Sequence, residues 1–217
     1  MSERERRDVV KACQWLHQKG FLAAYDGNVS VRLDDDRVLV TPSGVHKGFL
    51  EPGDLVEVDL TGRKLSGPGA PTGELAMHLE AYRRRPDARA VVHAHPPVCI
   101  AMSLGARPLN GFLPEVTLSI GRFTVVPYAR PLTDELARAV GQALTDTDAV
   151  ILERHGTVAV GKDVAEAYAF TERLEHAAHV LWLAHALGNP RPLDESELRA
   201  LENLYARRRA ATPPLGR

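Results

Sequence analysis

A strand-like run ends in His93-Ala94-His95-Pro96, and a third histidine follows in Glu153-Arg154-His155-Gly156. Residues two apart on a strand point to the same face, so His93 and His95 project side by side from the end of a strand over Ala90 to Ala94. Pro96 and Pro97 stop that strand, at the kind of strand end where sites open to solvent are built. Three neutral imidazole nitrogens with one position left open make the donor set of a catalytic zinc, and His93, His95 and His155 would supply it. A lone histidine reads more simply as a core or loop residue. A His-x-His pair at a strand end, followed by His-Gly after a second strand, favours a metal.

Glu74 carries the other half of the chemistry. It follows Pro71-Thr72-Gly73 at the start of a helix, where the dipole favours a carboxylate. There it can cap the helix. Beside a Lewis-acidic cation it can instead serve as a fourth ligand in the empty site and shuttle a proton when substrate arrives, and the neighbouring histidines tip the reading that way. His78, one turn later on the same helix face, reads as a supporting or core residue.

Two turns, Gly27-Asn28-Val29-Ser30 and Thr41-Pro42-Ser43-Gly44, offer side-chain donors beside exposed amides, and Thr72-Gly73 adds a third group at a helix N-terminus. Taken singly each is an ordinary turn. Together Asn28, Ser43, Gly44, Thr72 and Gly73 could hold a phosphate.

The elements that must position these groups alternate in period. Glu3 to Lys19 reads as an amphipathic helix stopped by Gly20, and Val29 to Leu33 pairs with Val38 to Thr41 across Asp34-Asp35-Asp36. Leu55 to Leu60 pairs with Lys64-Leu65 across Thr61-Gly62. The pattern then gives a helix over Thr72 to Arg85, the Ala90 to Ala94 strand and a short helix over Pro97 to Leu104. A strand over Phe123 to Pro127 and a capped helix over Thr133 to Leu144 come next. Ala149 to Leu152 and Thr157 to Val160 form a hairpin closing on His155-Gly156. Helices over Ala165 to Leu187 and Glu195 to Arg209 finish the chain. Hairpins mixed with layered helices predict a single-domain α/β/α sandwich on a mainly antiparallel central sheet, not a doubly wound parallel one.

With 217 residues the chain suits one domain over its whole length, 1–217, with a mobile C-terminal tail from about residue 203. A net charge of -1 excludes an electrostatic nucleic-acid binder. No apolar run reaches membrane-spanning length, the start is charged rather than signal-like, and Cys13 and Cys99 sit alone on helices. These features predict a cytoplasmic protein with buried thiols. Glu172, Glu175, His176 and His179 pair at helical spacing, but no second such motif faces them, so they read as a polar helix face or subunit contact.

The ordered set Gly-Asn-Val-Ser, Thr-Pro-Ser-Gly, the Glu74-containing helix start, Val-Val-His-Ala-His and His-Gly resembles the class II aldolase/adducin family. The likeness spans Val9 to Tyr205 and is strongest to the members that act on fuculose phosphate. It implies a homotetramer with active sites at subunit interfaces, and zinc or another divalent metal on His93, His95 and His155. It also implies Glu74 as ligand and acid/base, and phosphate contacts from Asn28, Ser43, Gly44, Thr72 and Gly73. The implied reaction is reversible cleavage of a phosphorylated sugar, a ketose 1-phosphate, to dihydroxyacetone phosphate and an aldehyde. Related epimerases, dehydratases and decarboxylases, and non-catalytic adducin-like modules, share the scaffold. Three departures stand out. Thr72-Gly73 replaces the pair of serines usual before the glutamate. Phe112-Leu113-Pro114-Glu115 stands where those aldolases place a proton-donating tyrosine. Arg208, with Tyr205 one turn earlier, stands where a neighbouring subunit supplies another.

Overall fold

In the computed structural model, residues 2–105 and 109–211 are described. Eight strands form one sheet: β1 (Asn28–Arg32), β2 (Arg37–Val40), β3 (Val56–Asp59), β4 (Lys64–Ser66), β5 (Ala90–Ala94), β6 (Thr124–Val126), β7 (Ala149–Leu152) and β8 (Gly156–Gly161). Their spatial order is β4-β3-β2-β1-β5-β8-β7-β6. Every neighbouring pair is antiparallel except β6 and β7, which run parallel. The sheet is therefore mixed. Helix α5 (Asp134–Ala143) carries the chain between the two parallel strands, because a parallel pair needs a crossover that a tight hairpin cannot supply.

Helices cover both faces. On one, α2 (Leu75–Arg84) and α5 bury Leu79, Tyr82, Leu136 and Val140 against Val38, Val58, Val91, Val150 and Val158. On the other lie α1 (Ser2–Gln18), α3 (Pro97–Ser103), α4 (Pro114–Ile120) and the long α6 (Val164–Leu187), which pack over Val29, Leu39, Val92, Ile151 and Ala159. Alternate residues of β5 thus divide between two cores. Val91 joins the α2 side and Val92 the α1 side, so His93, in step with Val91, points toward α2.

Sequence pattern missed α4. Its seven residues carry three β-branched side chains, Val116, Thr117 and Ile120, all buried. Proline at its first turn and packing decide for helix. α7 (Glu195–Ala211) buries Leu198, Leu201 and Tyr205, so the part of the tail from 203 to 211 ends a packed helix, while 212–217 lie outside the described residues. No helix among the described residues is long and apolar enough to cross a membrane.

Gly27, at φ +65°, turns the chain into β1, and a Cβ there would meet Leu22 Cδ2 and stand 2.7 Å from the His93 carbonyl oxygen. Gly27→Ala is expected to cost about 2–4 kcal/mol in urea unfolding, summing left-handed strain and overpacking. A cost within experimental error would show that the turn relaxes freely.

Candidate metal centre

β1 and β5 pair with Asn28 opposite His93, and β5 and β8 with His93 opposite Val158. His95 lies just past β5, its amide donating to the Phe21 carbonyl at 2.8 Å. His155 ends the β7–β8 turn, after Arg154 at φ +64°, and the Arg154 amide donates to Ser103 Oγ at 3.0 Å. These anchors bring the three rings into a nearly equilateral triangle, with centroid separations of 4.8, 4.9 and 5.0 Å. One nitrogen from each lies within 4.8 Å of the other two.

The lone pairs face inward. His93 Nδ1 donates to the Thr157 carbonyl at 2.9 Å, so in its neutral form Nε2 carries no proton, and it meets His95 Nε2 at 3.0 Å. Glu74 adds a carboxylate, with Oε2 3.2 Å from His93 Nε2 and Oε1 3.4 Å from His155 Nε2. Glu74 Oε1 and His155 Nδ1 are buried without a hydrogen-bond partner. His93 Nε2 and His95 Nε2 hydrogen-bond when one of them carries the proton, and a cation in that proton's place would engage the lone pairs of both. Three imidazoles and a carboxylate fit a divalent cation, and imidazole suits zinc.

Electrostatics agree. Burial and the neighbouring His93 and His155 lower the pKa of His95 to about 4, and burial and His93 do the same to His155, so both are neutral at physiological pH and free to ligate. Burial alone would raise the Glu74 carboxyl, but His93, Asn28 and His155 hold it well below the usual carboxylate range. Burial opposes a proton on His93, yet Glu74 outweighs burial and raises its pKa.

α2 begins one residue later than the position of Glu74, and Glu74 makes no side-chain cap bond. Its Oε2 instead accepts from Asn28 Nδ2 at 2.8 Å. Since a carboxylate only accepts, Asn28 must present its nitrogen to Glu74 and its oxygen to His78 Nε2, 2.6 Å away. His78 Nδ1 is then left to accept from Ser30 Oγ at 2.7 Å, and Ser30 in turn accepts from the Tyr82 hydroxyl at 2.8 Å. Every donor in this buried chain points toward Glu74. His78 is therefore a link in that chain rather than core filler.

The remaining residues singled out in the sequence divide into two groups. Pro42 bridges Pro71, the Ser43 amide donates to Ala70 O at 3.0 Å and the Thr72 amide to Thr41 O at 3.1 Å, which sets Ser43 and Gly44 beside Thr72 and Gly73. Tyr205 stands elsewhere. Its hydroxyl donates to Asp148 Oδ2 at 2.7 Å, and with Arg208 it lines a cavity of about 420 Å³ around Arg85. Glu175, read from sequence as part of a polar face, is buried and accepts from the Val98 and Cys99 amides at 2.9 and 2.8 Å, pinning the start of α3 just after His95. Glutamate on a charged helix stretch gives no sequence signal of that role.

Two measurements test the site without needing turnover. Zinc at about a thousand times its dissociation constant is expected to add roughly 4 kcal/mol to folding stability, an increment lost in His93→Ala, His95→Ala and His155→Ala. A variant that keeps the full increment removes its histidine from the site. Separately, burial lowers the His78 pKa from 6.5 to about 3, so the unfolded chain takes up a proton in that interval and the native state does not. Stability is then full above pH 6.5 and falls as pH drops toward 3. His78→Gln should reduce that slope in metal-free protein by up to about 1.4 kcal/mol per pH unit, and an unchanged slope would place the acid sensitivity elsewhere.

Residues 7–182 match the model of the Class II Aldolase and Adducin N-terminal domain. An L-fuculose phosphate aldolase of Methanococcus maripaludis is 36% identical over 180 residues, 83% of this chain and 97% of that protein. A 3-oxo-tetronate 4-phosphate decarboxylase of Haemophilus influenzae is 34% identical over 200 residues, 90% of this chain and 94% of that protein. Among solved structures, an L-fuculose 1-phosphate aldolase superposes with a TM-score of 0.87 at 26% identity, covering 95% of this chain and 98% of that one. The chain belongs to the class II aldolase and adducin family.

Proposed function

We propose that this protein is a zinc-dependent carbon–carbon lyase that cleaves a ketose 1-phosphate reversibly to dihydroxyacetone phosphate and an aldehyde. The observation that carries the reading is the placement of Glu74, turned away from its helix end and held by Asn28 against the three histidines. A divalent cation bound by His93, His95 and His155 would polarise the substrate carbonyl and accept the charge released as the adjacent carbon–carbon bond breaks. Glu74, ionised in the free site, would take up the proton that the departing fragment's hydroxyl releases, directly or through water, and pass it to the carbon left behind, or remove that proton in the condensing direction. Asn28, Ser43, Gly44, Thr72 and Gly73 hold the phosphate and fix which bond is presented. The family likeness also supports a homotetramer. The buried, unpaired Cys13 and Cys99 suit a reducing cytoplasm.

A second reading has its own support. Cleavage to an aldehyde needs a base for the hydroxyl proton of the departing fragment, and the tyrosine expected for that task is replaced by Phe112-Leu113-Pro114-Glu115. Tyr205 is occupied with Asp148 in this protomer. Decarboxylation of a phosphorylated 3-oxo acid needs no such base, because carbon dioxide leaves without giving up a proton. Glu74 would protonate the remaining carbon in the same way. The Haemophilus influenzae relative carries a name of that kind.

The zinc-loaded protein, incubated separately with fuculose 1-phosphate, other ketose 1-phosphates and a 3-oxo-tetronate 4-phosphate, separates the two. Both reactions leave dihydroxyacetone phosphate, so the departing fragment decides: release of an aldehyde from a ketose 1-phosphate supports the aldolase and release of carbon dioxide from the 3-oxo-tetronate 4-phosphate the decarboxylase, while neither fragment from any substrate overturns the lyase reading. With the active substrate, Glu74→Gln should lower kcat by about two to four orders of magnitude. Near-normal turnover would demote Glu74 to a structural carboxylate.

A further inference from the structure

Lys47 lies outside every role assigned so far. It opens a short 3-10 turn and is 2% exposed, although lysine is among the residues least often buried. Its ammonium has three partners, all backbone carbonyls: Val45 at 2.7 Å, Pro42 at 3.3 Å and Tyr25 at 3.3 Å. Among the described residues no carboxylate lies within ion-pair distance of it. Its own amide donates to the Ala24 carbonyl at 3.3 Å.

Those carbonyls belong to the two turns that deliver the candidate phosphate contacts. Tyr25 precedes Asn28 by three residues, and Pro42 and Val45 flank Ser43 and Gly44. Ala24, at φ +48°, and Gly27, at φ +65°, give the first turn a backbone that needs holding in place. One buried cation therefore ties both turns together from behind. The amides of Gly44 and Gly73, both exposed, have no bonded partner among the described residues, so the front of the cradle is left open to an acceptor.

A structural filler would not need the charge. Leucine or methionine of similar volume would avoid the desolvation that burial imposes on an ammonium, and burial does lower the Lys47 pKa. Carbonyl dipoles solvate the ammonium but leave its net charge intact. That charge, offset in part by the nearby Asp26 carboxylate, lies against the Pro42 and Val45 carbonyls of the turn that carries the exposed Gly44 amide, where it favours an anion.

We propose that Lys47 is a positioning residue that braces the two turns of the anion cradle and biases it toward a doubly charged phosphate group. This deepens the phosphate half of the proposed function and rests on that reading, but not on which carbon bond is cleaved.

Inorganic phosphate is the probe, and binding is read by calorimetry on the full chain loaded with zinc, so no turnover is required. Lys47→Met should weaken phosphate binding by about tenfold with zinc content unchanged, and Lys47→Arg should recover most of the loss. A folded Lys47→Met that binds phosphate within twofold of the parent overturns the proposal, as does a folded Lys47→Arg that binds more weakly than Lys47→Met. A readout on the unmutated protein stands apart from variant folding: the Lys47 15Nζ resonance should shift as phosphate is added, and an unmoved resonance at saturation, or no phosphate binding at all, overturns it too. If the lyase reading alone is wrong, no substrate turns over while these phosphate results remain.

Discussion

The constraint on which this structure turns is the convergence of three imidazoles and a carboxylate in one largely buried place. Two ring nitrogens meet at 3.0 Å, and a buried carboxylate reaches two of the three rings. A shared proton, or a cation at the centre, balances the lone pairs that such a cluster brings together. The surrounding fold is therefore read best as a frame that prevents the cluster from relaxing. β-Pairing fixes His93 and Asn28 opposite each other, and the β7–β8 turn delivers His155. The pinned start of α3 holds the chain just beyond His95. None of these elements can shift alone, because each is also part of a packed core.

The frame extends inward as a directional chain of hydrogen bonds. The charge on Glu74 sets the orientation of the Asn28 amide, which sets the tautomer of His78, which sets the direction of the Ser30 and Tyr82 hydroxyls. A buried network of this kind specifies a unique arrangement only when its members are satisfied, and each link from Tyr82 to Asn28 is. At the cluster itself, Glu74 Oε1 and His155 Nδ1 are among the buried atoms with no hydrogen-bond partner.

Local pattern made part of this legible. His93 and His95 were readable because strand period two puts them on one face, and His155 because a hairpin had to close there. Glu74 was readable as a residue at a helix start, but the reason it does not cap, the hydrogen bond from Asn28, spans 46 positions and leaves no local trace. The parallel pairing of β6 and β7 is likewise a long-range choice made by α5. α4 runs against its own helix propensity, and its burial, not its sequence period, decides. Lys47 and Glu175 were invisible for a different reason. Charged residues are solvated far more often than buried, so a sequence gives no warning when one is turned inward.

The same geometry explains why one scaffold serves both relatives' named chemistries. Cleavage to an aldehyde and loss of carbon dioxide each leave an electron pair on carbon next to a carbonyl, and each ends with protonation of that carbon. An electrophile at the three histidines and a proton on Glu74 serve either outcome. The reactions differ at the departing fragment, where an aldehyde requires a base and carbon dioxide does not. In this chain that region carries Phe112-Leu113-Pro114-Glu115, with Phe112 and Leu113 packed against a hydrophobic core. On the proposed reading, specificity between the two would rest on the residues that meet the leaving group, and not on the histidines or the carboxylate that the reactions share.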